Sequence, residues 1–159
     1  MQIYIADYSV DGPATSHANF HFLKIFVSAT TSDVFMTMAD WVRQSGIDPK
    51  VDLLLQIDIE GHEHETFLSI PDELMQRFRI TVLEFHCPHQ LWSLPFFRLA
   101  SSAFRKILQN HACVHLSPNN CLNSIYMQGI DIPRVVEFTF LRRDRFSQSA
   151  FSHEFPPSA

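Results

Sequence analysis

The chain has 159 residues, 46% hydrophobic and 18% charged, with a net charge of −5, a composition that suits one globular domain with a full core. The negative balance disfavours nucleic acid as a partner: the basic residues cluster only at Arg142, Arg143 and Arg145, which read as a solvated strand edge. No apolar run approaches the ~20 residues of a membrane span, no leader pattern opens the chain, and fifteen Phe against four Gly indicate a heavy core without a glycine-rich phosphate loop.

Gln2 to Asp7 (QIYIAD) reads as a strand that ends in an acid and enters a turn-rich stretch, Ser9 to Ser16. Phe20 to Val27 (FHFLKIFV) is a second strand, aromatic and β-branched. Ser32 or Asp33 caps a helix that runs to about Ser45, with Phe35, Met38, Trp41 and Val42 on one face and Gly46 at its C-terminal cap.

Val51 to Glu65 (VDLLLQIDIEGHEHE) opens with a solid apolar run, Leu53-Leu54-Leu55. It then alternates, Gln56, Asp58 and Glu60 against Ile57 and Ile59. A run of this kind ending in acids suits a parallel strand buried on both faces, its polar tip emerging where the sheet ends. Gly61 allows a sharp turn, His62 to Leu68 begins a helix, and Asp72 to Phe78 resumes it after Pro71.

Ile80 to Phe85 (ITVLEF) is the next strand. Leu91 to Gln109 carries the longest helical period, with Pro95 in its first turns and Phe96, Leu99, Ala103 and Ile107 along one face. Ala112 to Leu116 is a short strand before the loop Ser117-Pro118-Asn119-Asn120-Cys121. Val135 to Leu141 (VVEFTFL) alternates Val136, Phe138 and Phe140 against Glu137 and Thr139, as a half-exposed edge strand would. Residues 1–145 are expected to form one domain and 146–159 a loosely held tail. Strand and helix alternate through the middle, which indicates α/β with a mostly parallel sheet.

Polar groups recur at the strand ends: Asp7; Asp58 with Glu60; Glu84 with His86; His115 with Asn119 and Asn120. Strands lying side by side would bring these groups to one rim, where such folds bind ligands. Acids at strand ends also cap the helices that follow, which is the simpler role. His62-Glu63-His64-Glu65 falls short of HExxH, because Thr66 stands where the second His is needed. His86-Cys87-Pro88-His89 matches no standard zinc framework, and no metal ligand set is assigned. Oxygen-rich binding of a divalent ion by Asp58, Glu60, Glu84 and His86 is an alternative. GxSxG, Walker and GxGxxG motifs are missing from the sequence. Cys87, Cys113 and Cys121 are odd in number and widely spaced, so reduced thiols and a cytoplasmic setting are expected.

LLLQIDIEGHEHETFL, followed about twenty residues later by ITVLEFH, resembles the FkbM-type family of S-adenosylmethionine-dependent methyltransferases. That family shows a hydrophobic run with D-x-E-G-x-E and then a strand containing Glu. The later PNNC and IPRVVEFTFLRRD stretches are similar to its C-terminal part, and the likeness extends over roughly Gln2 to Arg145. It implies a Rossmann-like, doubly wound methyltransferase sheet that is mostly parallel with a C-terminal antiparallel strand, Val135 to Leu141. It also implies S-adenosylmethionine as cofactor, with Asp7 on the ribose and Asp58 and Glu60 near the methyl-transfer centre. Asp58, Glu60, Glu84 and His86 are the implied catalytic set, and O-methylation of a small-molecule or glycan acceptor the implied reaction.

The family's first strand and its glycine-rich turn would lie upstream of Asp7, so the expected sheet lacks its first strand. Either the strands ending at Asp7 and Glu60 close the gap and pair directly, or the chain is part of a longer one. Weak or no cofactor binding by this chain is expected, and unpaired strand edges favour self-association. Two other readings stay open. One is a catalytically inactive remnant that binds or scaffolds. The other is a metal-dependent hydrolase using Asp58, Glu60, Glu84 and His86.

Overall fold

In the computed structural model, which describes residues 1–119 and 123–147, the chain opens with β1 (Ile3–Ala6) paired in parallel to β2 (Phe20–Leu23). Parallel neighbours need a crossover of about a dozen residues or more, and residues 7–19 supply it without a helix. The expected strand Phe20 to Val27 is two strands. Ile25 N donates back to Leu23 O at 3.0 Å, and this tight turn separates β2 from β3 (Phe26–Ser28).

β3 pairs in parallel with β4 (Phe35–Thr37). The first helix is therefore shorter than its apolar period suggests, because strand pairing claims Phe35. α1 (Met38–Gln44) starts after Thr37, whose Oγ1 accepts from Asp40 N at 3.2 Å, and Gly46 follows its end at φ +65°.

β5 (Leu53–Ile57) leads through a turn to α2 (Glu63–Ser69), α3 (Asp72–Met75) and β6 (Phe78–His86). Phe78 thus opens a strand instead of closing a helix. A 3-10 turn, Pro88–Trp92, precedes α4 (Leu94–Asn110), which has Pro95 in its first turn. β7 (His111–Pro118) follows, then a hairpin of β8 (Ile125–Met127) and β9 (Ile130–Ile132), then β10 (Val135–Arg142). Gln128 and Gly129, both at positive φ, make the two-residue hairpin turn. Asn120, Cys121 and residues 148–159, most of the expected tail, lie outside the described residues.

The principal sheet has the order β5-β6-β10-β7. β5 and β6 are parallel, and β10 runs antiparallel to both its neighbours. The antiparallel character expected of Val135 to Leu141 is present, but its edge position is not. Glu137 is exposed as the alternation requires, yet pairing on both sides buries Val135, Val136 and Phe140. β7 and β5 hold the edges instead. The expected burial of β5 on both faces also fails, since Leu54 is 64% exposed. Among the described residues β1 pairs only with β2, so the suggested direct pairing between the Asp7 and Glu60 strands does not form, and the strands are spread over four sheets. The architecture is α/β, without one continuous doubly wound sheet among the described residues.

α2 and α4 cover one face of the principal sheet. Phe67, Ala103 and Ile107 from the helices meet Leu83, Phe85 and Phe140 from the strands, and all six are buried. Each large apolar side chain so buried contributes roughly 1.5–3 kcal/mol. Lys106 of α4 donates to Leu68 O and Ile70 O, capping the end of α2. At the other end of the sheet Arg142 donates to Asp52 Oδ1 at 2.8 Å and to Asp144 Oδ1 at 2.7 Å. That arginine is largely buried in an ion-pair network instead of solvated. No helix among the described residues is long and apolar enough to cross a membrane.

Candidate functional site

β5 and β6 are parallel neighbours with Ile57 level with Leu83. One residue further along, the register sets Asp58 beside Glu84, and β6 continues two residues more to His86. The turn after β5 is tight, with Glu60 at φ 54° and Gly61 at φ 102°. A left-handed conformation at Glu60 costs roughly 1–3 kcal/mol. It turns the Glu60 carboxylate back over the strand end.

The result is a cluster centred on His86. His86 Nε2 lies 3.4 Å from Glu60 Oε2 and 3.9 Å from Asp58 Oδ1. The ligand atoms of Asp58, Glu60 and His86 all fall within 4.8 Å of one another, close enough to share a cation or a polar ligand. On its other edge the imidazole meets Glu63, with Nδ1 2.9 Å from Oε1. Asn119, arriving from the end of β7, donates from Nδ2 to Glu84 Oε1 at 2.6 Å.

Burial raises the Asp58 carboxyl above its ordinary value. A hydrogen bond with Glu84 and the charges of Glu84 and Glu60 add to that, while His86 opposes it.

All four residues of the implied catalytic set meet at this rim. Asp7 does end β1 as expected, but its Oδ1 accepts from Ser9 N and Ser9 Oγ, both at 2.7 Å, in a local turn. His115 is exposed on β7 opposite Thr139. His64 is a core histidine, its ring 4.7 Å from that of Phe85 and 5.1 Å from that of Phe96. The site residue that sequence reasoning passed over is Glu63. It is fully buried, and its signal was the last acid of D-x-E-G-x-E, three residues after Glu60.

This is an α/β domain with acids and an imidazole gathered at the carboxyl ends of adjacent parallel strands, the usual ligand position in such sheets. The family model described as "Methyltransferase FkbM domain" matches residues 4–114, well over half of the chain. The chain belongs to the FkbM methyltransferase family. No curated protein and no solved structure matches it.

Proposed function

We propose that the site serves S-adenosylmethionine-dependent methyl transfer to an oxygen of a small-molecule or glycan acceptor. The observation that carries this reading is the convergence of His86 Nε2 on Glu60 Oε2 and Asp58 Oδ1, at 3.4 and 3.9 Å. The order β5-β6-β10-β7 with only β10 reversed is read as one half of a doubly wound methyltransferase sheet. The donor set suits a cationic methyl donor: burial first, and then the neighbouring Glu84 and Glu60, raise the Asp58 carboxyl, and a positive charge entering there would favour its charged form.

S-adenosylmethionine supplies, when bound, a methyl group made electrophilic by the sulfonium charge. Asp58 and Glu60 would stand beside that charge, and Asp7 would hold the ribose hydroxyls. Transfer to oxygen needs the acceptor aligned and its proton removed. His86 takes that proton at Nε2, while Glu84, held by Asn119, keeps Asp58 in place.

A second reading, binding or scaffolding without catalysis, draws on one observation. Among the described residues β1, which carries Asp7 at its end, is paired to β2 and not to the sheet that carries the other acids. Titration calorimetry with S-adenosylhomocysteine separates the two. Micromolar binding, weakened at least tenfold by Asp58→Ala, supports the methyltransferase reading, and no binding by a well-folded chain selects the second.

A further inference from the structure

We propose that Glu63 is a positioning residue: it fixes the tautomer of His86 so that Nε2 is the proton-accepting atom. This rests on the reading of His86 as the base. Glu63 is fully buried at the start of α2, and its Oε1 has two partners. Gly61 N donates to it at 2.9 Å, and His86 Nδ1 lies at 2.9 Å. A carboxylate oxygen that already receives a backbone N–H is acting as an acceptor, so the proton of the second bond belongs to His86 Nδ1. In neutral imidazole one ring nitrogen then carries the proton and the other bears the lone pair. The lone pair falls on Nε2, which faces Glu60 and Asp58.

The bond also sets the ring plane. Cys87, directly after His86, sits at φ 63° with its N–H donated to Arg134 O at 2.8 Å, so the backbone there is held as well. Glu63 Oε2 is buried and has no hydrogen-bond partner among the described residues. An unmatched oxygen is costly to bury, which speaks for a role beyond packing.

The test is the 15N spectrum of the histidine-labelled chain at alkaline pH, with the His86 signals identified by their loss in His86→Gln. Buried His111, whose Nε2 donates to Phe78 O at 2.6 Å, gives an internal reference for the Nε2–H form. His86 is expected to show the opposite pattern, with Nδ1 protonated. In Glu63→Leu no acceptor faces Nδ1, and the His86 pattern is expected to move toward Nε2–H, which Glu60 and Asp58 can accept, while that of His111 stays. An Nε2–H pattern for His86 in the native chain, or an unmoved pattern in a folded Glu63→Leu variant, would overturn the proposal. Should that variant not fold, the native spectrum decides alone. The readout needs no cofactor, so it stands apart from the S-adenosylhomocysteine titration that tests the methyltransferase reading.

Discussion

The principal sheet and the N-terminal strand pairs are built from similar residues yet bury them to different extents. β6 lies between two partners under two helices, and Phe78, Leu83 and Phe85 are buried along it. β1 is as apolar, but each of its four residues is only half-buried. Two parallel strands make one ladder and leave an edge on either side, whereas a strand between two neighbours with helices on its face loses water on nearly every side. A strand's sequence decides what it can bury, and its neighbours decide what it does bury. The candidate site reaches the well-buried side of this divide through His86 and Glu63, whose side chains can be held to a fixed geometry, while Asp58 and Glu60 are exposed.

The largest test of the contrast is a pair of truncations. Phe67→Ala, at a fully buried position, is expected to lower unfolding stability by about 3–5 kcal/mol in a denaturant titration. Ile5→Ala, half-buried in β1, is expected to lower it by about 1 kcal/mol. Equal losses would break the comparison. Gly61→Ala comes next. The added Cβ meets open space, but the backbone at φ +102° disfavours any side chain, so a loss of about 1–3 kcal/mol is expected, together with weaker binding at the site.

Glu60→Gly sharpens the contrast in the opposite direction. Relief of the left-handed backbone at Glu60 is expected to leave stability unchanged or raised by about 1 kcal/mol. Binding of S-adenosylhomocysteine should fall at the same time. A loss of stability would mean that Glu60 serves the fold more than the site.

The gentlest effect is on pH dependence. Burial lowers the His64 imidazole below its ordinary 6.5, so the unfolded chain takes up the proton first as pH falls. Stability from a neutral His64 is complete above about pH 6.5 and declines as pH drops through the lower folded value. Asp58, raised above 3.8, acts with the opposite sign. Its contribution is present at acid pH and declines as pH rises from about 4 through its folded value. His64→Met should flatten the first dependence, measured as thermal midpoint against pH, and Asp58→Asn the second. A His64→Met profile identical to that of the native chain would mean that His64 is not part of the cooperative core.

Much of this site was legible along the chain. Asp58, Glu60, Glu84 and His86 stand at the ends of two apolar runs, and parallel strands of such runs must emerge at the same rim. Glu63 was hidden because its acid lies in a helix, where a first-turn Glu is unremarkable until its burial is known. Asp7 ends a strand that pairs with β2, outside the principal sheet among the described residues, because strand pairing, not the local pattern, decides which sheet a strand joins. Val135 to Leu141 was misplaced for the same reason: alternation measures how much of a strand one face exposes, not how many neighbours it has.

The sequence by itself determined the α/β alternation, the turn at Gly61, the acids at the ends of β5 and β6, and the family through IDIEGHE. These depend on local period, turn chemistry and short motifs, which neighbouring residues supply. Only the tertiary structure decided that β10 lies between β6 and β7, that β1 joins β2, that Leu54 is left in solvent, and that a buried Glu63 holds His86. Those features are set by contacts between residues distant in the chain, and each is chosen by which surfaces can exclude water together.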